Sequence, residues 1–71
     1  MMNFAVIYEK TSTGYSADVP DLPGCVAAGA TFDETAELIR GAIELHLESM
    51  REDGDSVPEP TTIAGSVAVP A

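Results

Sequence analysis

The stretch Val19-Pro20-Asp21-Leu22-Pro23-Gly24-Cys25 decides the fold of this chain. Its two prolines cannot continue a helix or an inner strand, because each proline fixes φ and lacks an N–H group. The glycine that follows can adopt a positive φ without steric cost. Apolar residues with the alternating spacing of strands flank the stretch on both sides. We therefore predict a stiff turn between two strands, which suits the presentation of a surface better than the movement of a catalytic group.

Three strands are predicted around this turn, over residues 2–9, 15–19 and 25–30, and they form an antiparallel meander. The first strand carries apolar side chains on both faces, which predicts a central position covered on both sides. Residues 27–30 have small side chains or none, so another element can pack closely on the third strand.

A helix is predicted next, from about Phe32 to Asp53. Thr31 is the expected N-cap, and Glu34 three residues later completes the pattern of a capping box. Gly54 is expected to end the helix, and residues 55–62 form an extended linker. An apolar stripe runs down one side and is widened by three further apolar residues. The stripe comprises Ala36, Ile39, Ile43, Leu47 and Met50, and the widening residues are Leu38, Ala42 and Leu45.

A fourth strand is predicted over residues 66–69, where Val67 and Val69 alternate with smaller residues. The helix would return the chain across the sheet as a crossover, so this strand should run parallel to the first. The predicted fold class is α+β, a β-β-β-α-β domain over residues 1–71. One helix lies on one face of a four-stranded sheet, in a partial ribonuclease H-like order.

The charge balance limits the possible partners. Twelve acidic and three basic residues give a net charge of −9 in a chain of 71 residues. Direct binding to a nucleic-acid backbone requires clustered Lys and Arg, which this chain lacks. The acidic excess fits attraction to a basic partner, and it fits simple solubility equally well.

Nothing in the sequence predicts export or membrane insertion. The chain opens without a signal-peptide pattern, and its longest apolar run, residues 4–8, is far shorter than the roughly 20 residues of a membrane span. Cys25 is the single cysteine, so no internal disulfide can form. We predict a cytoplasmic protein in which Cys25 is a small buried apolar residue.

Catalytic, metal and cofactor sites are not expected. His46 stands alone at the margin of the apolar helix stripe, and no glycine-rich phosphate loop is present. A two-metal nuclease site on a ribonuclease H-like core would need converging carboxylates from strand one, the helix and strand four. Strand one offers only the terminal Glu9, and strand four offers none. We therefore predict a protein that is not an enzyme and has no small-molecule substrate.

An oligomer is expected from the apolar faces of the sheet. One helix covers one face only, whereas strand one is apolar on both, so apolar surface remains after the chain folds. Such surface usually marks an interface, and small domains often gain stability by association. The predicted state is a homo-oligomer, most simply a dimer.

The chain resembles the HicB-like antitoxins over about residues 3–70. The similarity lies in the stretch from Tyr15 to Cys25 and in the residues Ala28-Gly29-Ala30-Thr31. It continues in Asp33-Glu34-Thr35-Ala36, Ile43-Glu44-Leu45-His46-Leu47-Glu48 and the stretch from Asp53 to Pro60. The resemblance implies a degenerate ribonuclease H-like domain without nuclease carboxylates. It also implies a binding partner, HicA, a small basic ribonuclease that cleaves messenger RNA and whose active site the antitoxin covers.

Many members of that family carry a C-terminal DNA-binding segment, for which this chain has no room before Ala71, so direct DNA binding is not expected. With the resemblance and the net charge together, we predict that the toxin contacts Asp18, Asp21 and Leu22 at the turn and Glu44 and Glu48 on the outer side of the helix. An oligomeric scaffold without a toxin partner is the alternative. A hydrolase that acts on nucleic acid is a third and weaker alternative.

Overall fold

Three short strands and one long helix follow one another in the order β-β-β-α. The computed structural model describes residues 1–71. Strand β1 spans Ile7–Lys10, β2 spans Tyr15–Asp18, β3 spans Val26–Gly29, and helix α1 spans Phe32–Glu52. The predicted α+β class, the antiparallel meander and the position of the helix are confirmed.

The sheet has the order β1-β2-β3, so β2 is the central strand. Tyr8 lies opposite Ala17, and Ala17 lies opposite Ala27. These three side chains share one face, because residues directly opposite each other in a sheet point the same way. The prediction that strand one is central is wrong, since β1 is an edge strand.

The turn after β2 sets the short length of β1. Pairing stops at Ile7 opposite Asp18, and the Val19 N–H that follows donates to the Cys25 carbonyl on the β3 side at 3.2 Å. Pro20, one residue further, has no N–H to donate. Residues 2–6, predicted as strand, therefore have no partner on this side.

Helix α1 begins and ends with regular caps. The Thr31 hydroxyl accepts the Glu34 N–H at 3.1 Å, which confirms the predicted N-cap. At the other end Gly54 has φ +76°, and the Asp55 N–H reaches the Met50 carbonyl at 2.9 Å. This is the Schellman pattern that a glycine at that position favours.

The helix packs over β2 and β3, whose helix-facing residues Ala17, Ala27 and Gly29 have small side chains or none. A Cβ atom at Gly29 would come within 2.7 Å of the Thr35 Oγ1, so this position requires glycine. Thr35 is fully buried, and its hydroxyl donates to the Thr31 carbonyl at 2.8 Å. The predicted close approach to the third strand is thus confirmed.

An aromatic group fixes the start of the helix on the sheet. The ring of Phe32 lies 4.5 Å from that of Tyr8 and 5.9 Å from that of Tyr15, centroid to centroid. The two tyrosines come from neighbouring strands and share the helix-facing side of the sheet. Tilted and edge-on aromatic pairs of this kind contribute about 0.5–1.5 kcal/mol each beyond their buried area.

The core is small and is drawn mainly from the turn. Its five buried apolar residues are Ala17, Val19, Leu22, Cys25 and Ile39. Three of the five belong to the stretch 19–25, so this turn supplies more of the buried apolar residues than the strands and the helix together. The predicted helix stripe is confirmed by buried Ile39 and by Ile43 and Leu47, which pack against the core.

Two of the three residues predicted to widen the apolar helix face do not do so. Leu38 is 46% exposed and Leu45 is 68% exposed, whereas Ala42 packs against the core. The sheet is too narrow to cover this flank of the helix, because β3 is its last strand on that side. No helix combines the length and the apolar character that a membrane crossing requires.

The predicted fourth strand is wrong for the single chain. The sheet has three strands, and residues 66–69 have no strand structure. No residue from Ser56 to Ala71 takes part in a backbone–backbone hydrogen bond outside helices and strands, and Val67 and Val69 are 85% and 73% exposed. The residues before it, Thr61 and Thr62, are hydrogen-bonded to Asp21 in the turn after β2.

Two leucine substitutions test this assignment of the core. Leu22→Ala should lower the free energy of unfolding by about 2–5 kcal/mol, because Leu22 is only 1% exposed and its loss leaves a cavity. Leu45→Ala makes the same chemical change on the exposed flank of α1 and should have little effect. Urea unfolding followed by circular dichroism compares them, and equal losses would contradict the assignment.

Candidate partner-binding surface

The turn between β2 and β3 consists of two consecutive β-turns. The Leu22 N–H donates to the Val19 carbonyl at 3.0 Å, and the Cys25 N–H donates to the Leu22 carbonyl at 3.0 Å. Pro20 and Pro23 each occupy the second position of a turn, where a fixed φ near −65° is favourable. Gly24 has φ +85°, as the third position of a type II turn requires. The predicted stiff turn is confirmed.

The carboxylate of Asp21 fastens a distant part of the chain to this turn. It accepts the N–H groups of Thr61 and Thr62, both at 3.0 Å, and their hydroxyls at 3.2 Å and 2.8 Å. These bonds favour the ionised carboxylate, and the Thr62 N–H contributes most to the lowered pKa of Asp21. Asp21 therefore holds the C-terminal segment, which was not predicted from the sequence.

The other predicted contact residues of the turn differ in accessibility. Asp18 is half-buried at the end of β2 and faces away from the helix, since it lies opposite Ile7 and Val26 on the outer face of the sheet. Leu22 lies in the core with 1% exposure, so its side chain is not available to a partner. Its role is to fix the shape of the turn that presents its neighbours.

The two helix acids lie on a different side of the molecule. Glu44 and Glu48 are exposed on α1, and by helical geometry Glu48 points away from the buried Ile39, whereas Glu44 lies closer to the side that carries Ile43 and Leu47. Glu44 forms an exposed ion pair with Arg40 at 3.6 Å, one turn earlier. A pair of this kind is worth about 0–1 kcal/mol and leaves the helix surface acidic overall.

The structure thus does not bring the predicted contact residues together. Asp18 lies on the outer face of the sheet, and Glu44 and Glu48 lie on the outer face of the helix, with the core between them. A single flat interface cannot include both groups. The acidic character is spread around the domain, as the net charge of −9 implies.

Cys25 and His46 are the remaining candidates for catalysis or metal binding. No group of three or more His, Cys, Asp and Glu side chains is arranged to hold a metal ion. Cys25 is 4% exposed, which confirms the predicted burial, and burial raises the pKa of its thiol. His46 is half-buried on α1 and lines a shallow depression with Cys25 and Leu45. The absence of catalysis stays a prediction.

Sequence reasoning missed two groups that position this surface. Thr61 and Thr62 fall in the predicted linker, although two adjacent threonines offer four donors for one carboxylate. Thr35 is not part of the predicted apolar stripe, although it is the most buried residue of α1. Its position one turn after the N-cap, where a threonine hydroxyl can donate to the carbonyl four residues earlier, was the available indication.

Comparison with known proteins gives one consistent result. The profile of a family described as "HicB-like antitoxin of bacterial toxin-antitoxin system" matches residues 4–71. A 14.9 kDa protein from the rep-hol intergenic region of Haemophilus phage HP1 is 39% identical over 62 residues. The match covers 87% of this chain but 47% of the phage protein, so the chain spans about half the length of that relative.

Shorter relatives match along most of their length. A UPF0150 protein of Archaeoglobus fulgidus is 42% identical over 59 residues, which cover 79% of this chain and 86% of the relative. A UPF0150 protein of Synechocystis is 37% identical over 68 residues, which cover 94% of this chain and 86% of the relative.

The Asp21 anchor should depend on pH. Because the pKa of Asp21 is lower in the folded protein than its ordinary value of 3.8, its contribution to stability is complete above that value and is lost as the pH falls through the folded pKa. The amide signals of Thr61 and Thr62 in ¹H–¹⁵N spectra should therefore stay constant from neutral pH to about pH 4 and move below it.

Asp21→Asn should release the segment at every pH, because the amide offers one acceptor oxygen and no charge. The expected result is faster backbone motion for residues 61–69, measured by ¹⁵N relaxation. Asp55→Asn, at an exposed position after the helix, is the matched control. An unchanged Thr61–Thr62 segment in the Asp21→Asn variant would show that other contacts hold it.

Proposed function

This chain belongs to the HicB-like antitoxin family of bacterial toxin–antitoxin systems, and we propose that it inhibits a small basic HicA-like ribonuclease by covering its active site. The family match over residues 4–71 carries the proposal. The acidic net charge supports it, because a basic toxin is attracted to an acidic domain. We also propose that the antitoxin acts in the cytoplasm, where such a toxin meets messenger RNA, and that it acts without catalysis or cofactor.

The contact surface we propose is centred on the turn and Asp18. The hydrogen bonds within residues 19–25 hold this surface rigid before binding, so little conformational entropy is lost on association. Asp21 contributes by holding residues 61–62 beside the turn, and Leu22 contributes by filling the core beneath it. Glu44 and Glu48, on the opposite side, increase the rate of encounter through their charge and make no close contact with the same toxin molecule.

The fold supports two finer proposals. The β-β-β-α order is compatible with a reduced ribonuclease H-like domain in which the nuclease carboxylates are missing. A homo-oligomer, most simply a dimer, is supported by apolar side chains that folding leaves exposed. Val26 on the outer face of the sheet is 64% exposed, and Ile63 in the C-terminal segment is 92% exposed.

Charge-reversing substitutions distinguish residues that contact the bound toxin from residues that only speed its approach. The test measures binding of a catalytically inactive HicA-like toxin from the source organism by stopped-flow fluorescence at low and high salt. Asp18→Lys should increase the dissociation rate by about 10-fold or more, because it places a cation against a basic partner. The double variant Glu44→Lys/Glu48→Lys should slow association several-fold at low salt and have little effect when salt screens the charges.

The double variant Glu52→Lys/Asp55→Lys is the control for net charge, since it makes the same change in charge as the helix variant at exposed positions near the C-terminal end of α1. It should slow association as the helix variant does and leave dissociation unchanged. If Asp18→Lys leaves dissociation unchanged, the turn is not the contact surface. If no HicA-like toxin binds the wild-type chain, the scaffold alternative is favoured.

A further inference from the structure

The free edge of β1 borders an apolar groove. Helix α1 lies over β2 and β3, and Phe32 at its start covers Tyr8 of β1, while a groove stays open between the N-terminal residues and the middle of the helix. The resulting groove has a volume of about 610 Å³. Its walls are the N-terminal residues Phe4, Val6 and Tyr8 on one side and Ile39, Ile43 and Leu47 on the other.

The C-terminal segment, residues 63–69, has the pattern of a strand that is apolar on one face. Ile63, Val67 and Val69 alternate with residues 64, 66 and 68, which are Ala, Ser and Ala. In an extended chain the first group would share one face and the small residues would share the other. Ile63, Val67 and Val69 are 92%, 85% and 73% exposed, so the apolar face is uncovered.

The chain thus presents an unpaired strand edge and an unpaired strand-like segment at the same time. The segment follows Thr62, which Asp21 holds at the turn, and it does not fold back onto its own β1. An exposed sheet edge and an exposed apolar segment each promote association, and proteins usually cover such edges. Pairing with another copy would cover both features.

Electrostatics favours the groove as the place where a second acidic copy can approach. Two of the three basic side chains, Arg40 and Arg51, line the groove with one acid, Glu44. Residues 60–71 carry no charged side chain. Contact between this segment and the groove therefore avoids the repulsion that two copies of charge −9 meet elsewhere.

We infer that residues 63–69 of one copy add as a strand to the β1 edge of a second copy, with Val67 and Val69 in the groove against Ile43 and Leu47. The exchange is reciprocal in a two-fold dimer, so each copy gives one strand and receives one. The small residues 64, 66 and 68 then lie on the other side of the added strand, next to the outer face of the sheet. This inference rests on the proposed homo-oligomer and specifies its interface.

The test places charges on either face of the segment and measures mass by light scattering across a concentration series. Val67→Asp/Val69→Asp should weaken dimerisation by roughly 100-fold or more, because two apolar side chains lose their burial and two charges enter the groove. Ser66→Asp/Ala68→Asp adds the same charge to neighbouring residues on the other face and should keep the dimer. Equal behaviour of the two variants would overturn the inference.

Complementation tests whether the exchange occurs between chains. Leu47→Asp alters the groove but keeps the segment, whereas the double valine variant alters the segment but keeps the groove. Mixed together, these two monomeric variants should form a heterodimer with one intact strand exchange. Failure to form it, with both variants folded by circular dichroism, would overturn the inference.

A second measurement on the wild-type chain remains decisive if Leu47→Asp does not fold. In a mixed dimer of labelled and unlabelled chains, isotope-filtered NMR should show contacts between the Val67 methyls and the Ile43 or Leu47 methyls across chains. Contacts within one chain, or none, would overturn the exchange. A monomeric wild type at tens of micromolar would refute the proposed oligomer itself, whereas a dimer that survives Val67→Asp/Val69→Asp would refute only this interface.

Discussion

The structure depends on the burial of the turn between β2 and β3. A chain of 71 residues with six buried residues has little core to lose, and Val19, Leu22 and Cys25 of this turn supply three of the five buried apolar side chains. The two prolines and Gly24 restrict the backbone so that these side chains point inward together. The helix then needs only Ile39 and its neighbours to close the core over the small residues of β2 and β3.

The same turn explains how the domain divides its surfaces. Because its side chains fill the core, its backbone forms a rigid outer surface next to Asp18, and the Asp21 carboxylate is free to hold Thr61 and Thr62. The segment that follows, residues 63–69, pairs with no strand of the sheet. The edge of β1 remains open, and the acidic side of α1 remains exposed. A rigid contact surface and an open sheet edge thus arise from one arrangement.

Local patterns made much of this predictable. The two prolines with Gly24, the Thr31 cap and the spacing of Ile39, Ile43 and Leu47 each act within a few residues, so the sequence identified the turn, the helix and the meander. The predicted strand at residues 66–69 is wrong, although Val67 and Val69 do alternate with smaller residues. Whether such a segment finds a neighbouring strand depends on where Asp21 holds the chain before it. That contact joins residues 40 and 41 positions apart, and no local pattern indicates it. The separation of Asp18 from Glu44 likewise follows from which face of the sheet the helix covers.

Native-state hydrogen exchange tests most directly whether the turn is part of the core. The N–H groups of Val19, Leu22 and Cys25 are hydrogen-bonded within the turn, and if its side chains hold the fold together they open only when the whole domain unfolds. The account predicts that these three amides exchange in the slowest class, together with the amides of α1 around Ile39. Exchange as fast as that of the β1–β2 loop at Thr13 would show that the turn opens independently and would contradict the account.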